Sequence, residues 1–219
     1  MFPGRWGVCG IRFGTMSDHV HNLPTDTPNG LLLIISGPSG VGKTTITRGV
    51  ERSIADSVFS VSATTRAKTD ADVEGVDYHF VDDETFDRLI AKDELLEWAQ
   101  VFGKRYGTPS RWVKEQLRRG RLVILEIDVE GARKVKRVMP DAYAIFILPP
   151  SEEVLLDRLR RRNRESDQAI EKRFAEARRE IAAAQACGIY DTFLVNDDLE
   201  RTITEAVETV NQRRGQCKS

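Results

Sequence analysis

The chain has 219 residues, enough for one domain with a sizeable core and small inserted lobes. Hydrophobic residues make up 40% and charged residues 31%, the balance of a soluble globular protein. A net charge of −1 gives no global basic field, and no apolar run approaches the ~20 residues of a membrane span, so neither nucleic acid nor membrane is expected as a partner. The three cysteines (Cys9, Cys187 and Cys217) are scattered and free of C-x-x-C spacing, which predicts free thiols and a cytoplasmic location.

Met1 to Thr15 is glycine-rich, and its apolar residues are broken by Arg5 and Arg12, so it lacks the apolar stretch of a signal peptide. Met16 offers an alternative start. Residues 1–28 are predicted to be a disordered extension without chemistry, His19 and His21 included. Leu31–Ser36 reads as a buried strand, followed by a helix from Lys43 to about Ala55. Val58–Ser62 reads as a strand, 63–76 as a polar loop and Tyr78–Val81 as a short strand. Asp83 to Ala91 has helix character, with Asp83 as its cap. Leu95–Phe102 is a predicted strand and Gly103–Thr108 a turn. Pro109 then fits the first position of a helix running to about Arg119.

Leu122–Asp128 is a core strand that ends in carboxylates, where α/β sheets hold ligands. Val129–Met139 is helical and stops at Pro140. Ala144–Leu148 is a further core strand, and Ser151 caps the next helix. A basic run spans Arg158 to Arg164, and a long amphipathic helix spans Ile170 to Ala186. Phe193–Val195 is the last core strand, and a helix to about Arg213 ends the fold. Alternating strands and helices predict an α/β domain over 29–215 with a mostly parallel sheet. Its core is expected in 29–60, 107–149 and 188–215. An inserted lobe is expected in 61–106, and a second mobile element in 150–187.

The most informative stretch is Gly37-Pro38-Ser39-Gly40-Val41-Gly42-Lys43-Thr44, directly after the apolar run 31–35. This is the P-loop pattern in its required context of strand, glycine-rich loop and helix. The glycines let successive backbone N–H groups converge on phosphate oxygens, and the helix N-terminus adds partial positive charge. Lys43 is suited to the β- and γ-phosphates and the Thr44 hydroxyl to Mg²⁺. Arg66, at the end of the segment Ser60–Arg66, is of the type that binds phosphate bidentately.

The P-loop is followed by Ser62-Ala63-Thr64-Thr65-Arg66, Gly75-Val76-Asp77-Tyr78-His79-Phe80, Leu96-Glu97-Trp98-Ala99 and Tyr106-Gly107-Thr108. Then come Ile127-Asp128-Val129-Glu130-Gly131, Phe146-Ile147-Leu148-Pro149-Pro150-Ser151 and Val195-Asn196-Asp197-Asp198. In this order and at this spacing the motifs resemble those of the guanylate kinases, over about Leu31 to Arg213. The resemblance implies a P-loop NTPase-type parallel sheet flanked by helices, a small β-rich GMP-binding lobe (61–106) and a helical lid (150–187). It implies transfer of the ATP γ-phosphoryl group to GMP, with dGMP as a second acceptor, in a monomer or homodimer.

By the same resemblance, Ser62, Glu97, Thr108 and Asp128 contact the guanine. Arg66, Tyr78 and Tyr106 hold the GMP phosphate. Lys43 bridges the transferred group, Arg158, Arg162 and Arg173 converge on the phosphates, and Asn196 lies near the adenine. Mg²⁺ is met by Thr44 and otherwise by ATP phosphates and water. A carboxylate at 97 suits guanine, since it accepts both N1–H and the exocyclic N2–H, which adenine does not offer.

The family usually reads T-T-R-x-P-R-x-G-E where this chain has Thr64 to Asp72. Its second phosphate-binding arginine is Thr69 here, and its proline is Lys68. Lys68 is expected to supply the missing charge. The family's aspartate before Ile127-Asp128 is Glu126, and its lid Gly-Arg-Gly is Arg161-Arg162-Asn163. A related P-loop kinase acting on another phosphate ester, such as a ribose bisphosphate, shares the loop, but Ser62, Glu97 and Asp128 together argue for a purine base. Guanylate-kinase-like interaction modules lose the P-loop, which is complete here.

Overall fold

The computed structural model of the chain describes residues 30–101, 103–161 and 166–216. The expected N-terminal extension and Arg162 lie outside them. In chain order the elements are β1 (Leu31–Ser36), α1 (Lys43–Ser53), β2 (Ser57–Phe59), β3 (Ala63–Thr64), β4 (His79–Phe80), α2 (Asp83–Ala91), β5 (Leu95–Val101) and β6 (Lys104–Pro109). There follow α3 (Ser110–Arg118), β7 (Leu122–Glu126), α4 (Val129–Val138), β8 (Tyr143–Leu148), α5 (Glu152–Arg161), α6 (Asp167–Cys187), β9 (Thr192–Val195) and α7 (Leu199–Gln216).

Five strands form a parallel sheet in the order β2-β7-β1-β8-β9. Strand β1 is apolar almost throughout because both of its faces are covered. Leu31, Leu33 and Ile35 meet Ile46 and Val50 of α1 and Ile203, Ala206 and Val210 of α7. Leu32 and Ile34 point the other way, to Val113 of α3 and Ala132 and Val135 of α4. Each such Leu or Ile contributes about 1.5–3 kcal/mol by leaving water. A continuous run and the period of two therefore describe the same strand. With β1 in the middle, the loop after it opens at the centre of the sheet's carboxyl edge.

A second sheet, β4-β3-β6-β5, has its own small core of Ala63, Phe86, Leu89 and Leu95. The helices α5 and α6 pack on one another through Leu155, Leu159, Ile170 and Ala177.

Four local expectations are corrected. The predicted turn 103–108 is largely strand: β6 pairs antiparallel with β5 from Val101↔Lys104 back to Leu95↔Pro109. Two glycines and two basic residues conceal it, since its packing comes from the partner strand; Gly103, at φ 76°, is the turn. The single strand expected over 58–62 is two, because the chain leaves the parallel sheet after Phe59 and joins the second sheet at Ala63. Hydrophobic periodicity does not register such a change of partner. The cap of α2 is Asp82, not Asp83, its carboxylate accepting from the Thr85 N–H at 2.8 Å. Asp128 lies beyond β7 and caps α4, accepting from the Gly131 N–H at 2.7 Å.

Candidate active site

The loop from Gly37 to Gly42 turns through positive φ at Gly40 (85°) and at Gly42 (98°), the residue that caps α1. A Cβ on Gly42 would be strained and would lie 2.8 Å from Asn196 Nδ2. The Val41 side chain is buried, and its carbonyl is held from outside the loop. Asn196 Nδ2 donates to it at 2.7 Å and Arg158 Nη1 at 3.4 Å, while Arg158 Nη2 donates to the Asn196 carbonyl at 2.9 Å. Asn196, just past β9, and Arg158, on α5, thus fix the corner of the loop that precedes the helix.

Lys43 Nζ donates to the carbonyls of Gly37 and Pro38 at 2.6 and 3.0 Å, which sets the ammonium over the mouth of the loop. Arg173 Nη2 reaches the same loop from α6, donating to Ser39 Oγ at 2.6 Å. Thr44 Oγ1 donates to Glu126 Oε1 at 2.8 Å. Glu126 is the last residue of β7, the strand beside β1.

Glu97 is 7% exposed, and its Oε1 accepts from the Thr108 hydroxyl at 2.7 Å across the β5–β6 pair. Burial pushes the Glu97 carboxyl up to about 7; Thr108 opposes this, Asp128 adds to it and Lys134 opposes it. Gly131 sits between the carboxylates, since a Cβ there would lie 3.1 Å from Glu97 Oε2 and 3.3 Å from Asp128 Oδ1. Elements far apart in the chain thus bring Glu97, Thr108 and Asp128 close together. Ser62 is half-buried beside β3, and no described hydrogen bond uses its side chain.

Arg66 lies against the rings of Tyr78 and Phe80, 5.2 and 5.3 Å from the guanidinium carbon. Tyr78 meets Tyr106 edge-on at 5.6 Å between centroids. Burial, followed by the neighbouring Tyr106 and Glu126, raises the Tyr78 phenol above its ordinary value, so its hydroxyl stays a donor at neutral pH. Lys68 is exposed, with no partner among the described hydrogen bonds and ion pairs.

Three residues show their partners only here. Glu126 is tied to the P-loop threonine. Asp72 accepts from both ends of the Arg66 guanidinium, at 2.9 and 2.7 Å. Glu180, on α6, lines a cavity of about 50 Å³ with Ser39, Arg173 and Glu176. Burial pushes its carboxyl up to about 7 against the pull of Lys43, with Glu176 and Asp128 adding to the rise. A carboxylate at the end of a core strand was a usable signal for Glu126, and Asp72 stands where the family pattern ends on an acid; nothing in the local sequence singles out Glu180.

The guanylate kinase family model matches residues 29–213. A guanylate kinase of Carboxydothermus hydrogenoformans is 46% identical over 185 residues, covering 84% of this chain and 89% of that one. A guanylate kinase of Myxococcus xanthus is 45% identical over 193 residues, covering 88% and 91%. Among solved structures, the crystal structure of guanylate kinase from Anaplasma phagocytophilum superposes with a TM-score of 0.68 at 34% identity, covering 84% of this chain and 86% of that one.

Proposed function

The chain belongs to the guanylate kinase family, and from this premise we propose that it transfers the γ-phosphoryl group of ATP to GMP, giving ADP and GDP. The observation that carries the acceptor is the buried Glu97 carboxylate, hydrogen-bonded to Thr108 beside Asp128. Guanine offers two adjacent N–H donors to such a group, and a base without them leaves a buried charge unpaired. In this reading Ser62, Glu97, Thr108 and Asp128 hold the base, Arg66, Tyr78, Tyr106 and Lys68 the phosphate, and residues 61–106 form the GMP lobe. Neither group of contacts requires the ribose 2′-OH, so dGMP is a second acceptor. Residues 150–187 form the lid. The free thiol of Cys187 and the absence, among the described residues, of a helix able to cross a membrane support a cytoplasmic location.

An oxygen of the GMP phosphate attacks the γ-phosphorus, and the bond from that phosphorus to the β-bridging oxygen breaks with its electrons leaving on ADP. The acceptor is already anionic, so no side chain has to remove a proton. The work is alignment and charge neutralisation. Loop N–H groups from Gly37 to Thr44 cradle the donor phosphates, Lys43 follows the transferred group, and Arg158 and Arg173 add positive charge from the lid. The Thr44 hydroxyl and the Glu126 carboxylate are hard oxygen donors of the kind Mg²⁺ takes, and with ATP phosphates and water they would hold the ion. Held there, it would supply positive charge to offset that of the donor phosphates. Glu126→Gln is expected to raise the Mg²⁺ needed for half-maximal turnover severalfold with little change at saturating Mg²⁺. An unaltered Mg²⁺ titration would remove Glu126 from this role.

Incubation with MgATP and GMP is expected to yield ADP and GDP in equal amounts by anion-exchange chromatography. ADP formed with inorganic phosphate and no GDP would overturn the assignment.

The Glu97 carboxyl, raised to about 7, gives the binding step a pH dependence. The charged form accepts both guanine donors, so GMP affinity is expected to be flat above pH 7 and to fall by up to about tenfold per unit below it. The GMP phosphate itself titrates near pH 6. Calorimetry of wild type beside Glu97→Gln isolates the Glu97 contribution, and parallel profiles would contradict it.

Lys68→Ala tests whether that side chain supplies charge in place of the missing arginine. A charge-assisted hydrogen bond is worth about 1.5–3 kcal/mol, so KM for GMP is expected to rise about tenfold or more. An unchanged KM would exclude Lys68 from the site.

A further inference from the structure

Arg66 is the arginine that the proposed function assigns to the GMP phosphate, and the loop after it is where the chain departs from its family. The guanidinium has five N–H groups. Nη1 donates to Asp72 Oδ2 at 2.9 Å and to the Ala67 carbonyl at 3.1 Å, and Nη2 donates to Asp72 Oδ1 at 2.7 Å. Asp72 therefore takes the end of the fork. The Nε–H and the second Nη2–H, which together form the fork's side edge, have no partner among the described hydrogen bonds. A phosphate accepts two parallel N–H groups of this kind.

Asp72 is itself held. Thr69, at the position of the family's second arginine, donates its backbone N–H and its hydroxyl to Asp72 Oδ2 at 2.7 and 2.6 Å. The rings of Tyr78 and Phe80 lie against the guanidinium. A carboxylate with four donors, bonded to an arginine packed on two rings, is a built unit rather than a chance surface ion pair.

We propose that Asp72, fixed by Thr69, is a positioning residue that holds Arg66 end-on so that its side edge faces the GMP phosphate. The inference rests on the GMP reading of the site. The Asp72 charge offsets that of Arg66, so the gain is in direction and not in net charge. The family pattern carries an arginine and an acid where this chain has Thr69 and Asp72; here Thr69 fixes the acid, and the acid orients the one arginine that remains. The guanidinium and the Thr69 donors hold the Asp72 carboxyl far below the ordinary carboxylate range, so the clamp stays ionised at any pH at which the enzyme works.

The test pairs kinetics with the Arg66 Nε–H signal in a ¹H–¹⁵N spectrum, assigned by its loss in Arg66→Lys. Asp72→Asn is expected to raise KM for GMP about tenfold, with kcat and KM for ATP within about twofold of wild type. Thr69→Val gives about threefold. The double variant is no worse than Asp72→Asn alone, because both act through one carboxylate. Asp72→Glu restores most of the affinity. The Nε–H signal is sharp in wild type, shifts on adding GMP, and broadens away in Asp72→Asn. An unchanged or lowered KM in Asp72→Asn overturns the proposal, a lowered one meaning that the carboxylate competes with the phosphate. An Nε–H signal that survives Asp72→Asn, or that ignores GMP while GMP binds, also overturns it. If wild type fails to turn over GMP, the GMP reading falls, and the Nε–H signal in the two variants still decides whether Asp72 orients Arg66.

Discussion

Lys43→Ala is expected to lower kcat with MgATP and GMP by about 10³-fold while leaving GMP affinity nearly unchanged. The ammonium lies 2.6 and 3.0 Å from the carbonyls of Gly37 and Pro38, over the loop mouth. In the proposed function it is a full charge carried to where negative charge is redistributed during transfer. Removing a single oriented donor from such a position typically costs 10²–10³ in rate, and a charged group sits at the upper end. The loss should fall on kcat because the charge matters most in the transition state. Single-turnover kinetics with GMP calorimetry as the binding control would check this. A loss below about tenfold would mean that Lys43 does not act on the transferred group.

Glu97→Gln is expected to lower kcat/KM for GMP by about 10²–10³-fold while making the ligand-free fold more stable. The amide keeps one acceptor but turns an N–H₂ toward a base edge that presents only donors there, and a buried polar mismatch of this sort is costly. The stability sign follows from the raised carboxyl. The folded state prefers the protonated form, so above the ordinary carboxylate pKa the Glu97 charge costs stability, and the cost grows until the folded value near 7 is passed. At pH 8 the neutral glutamine, still able to accept from Thr108, should stabilise the fold by about 1–3 kcal/mol. Lower activity with a higher Tm separates loss of recognition from misfolding. A lower Tm at pH 8 would show that the charged form is not under strain in the free protein.

What the sequence reveals about this protein follows the range of the interactions. The P-loop is a local object, and its strand, glycines and helix are adjacent, so it is legible from Leu31 to Ser53 without a structure. Strand β6 is not, because Lys104 to Pro109 becomes a strand only through its pairing with β5. The contacts that fix the site are longer still. Thr44 and Glu126 are 82 residues apart, and Asn196 is 155 from the Val41 carbonyl that it holds. Spacing carries no signal for such pairs. The order of motifs pointed to Glu97, Thr108 and Asp128, but not to their environment: Glu97 is closed from water, Asp128 caps a helix, and Gly131 leaves the gap between them. Asp72 stands where the family pattern ends on an acid, but within a polar loop nothing shows that it pairs with Arg66, and the role of Thr69 there depends on a carboxylate three residues on.

Acceptor specificity decides whether a buried carboxylate reads guanine beside a working P-loop. Initial rates would be measured with MgATP and GMP, IMP, AMP or ribose 1,5-bisphosphate, each beside the Lys43→Ala variant. IMP keeps N1–H and lacks the 2-amino group, and AMP lacks both donors. The expected kcat/KM falls by about 10²-fold from GMP to IMP and about 10⁴-fold or more to AMP, with no turnover of the ribose ester. Comparable rates with AMP, or a preference for the ribose ester, would contradict the account.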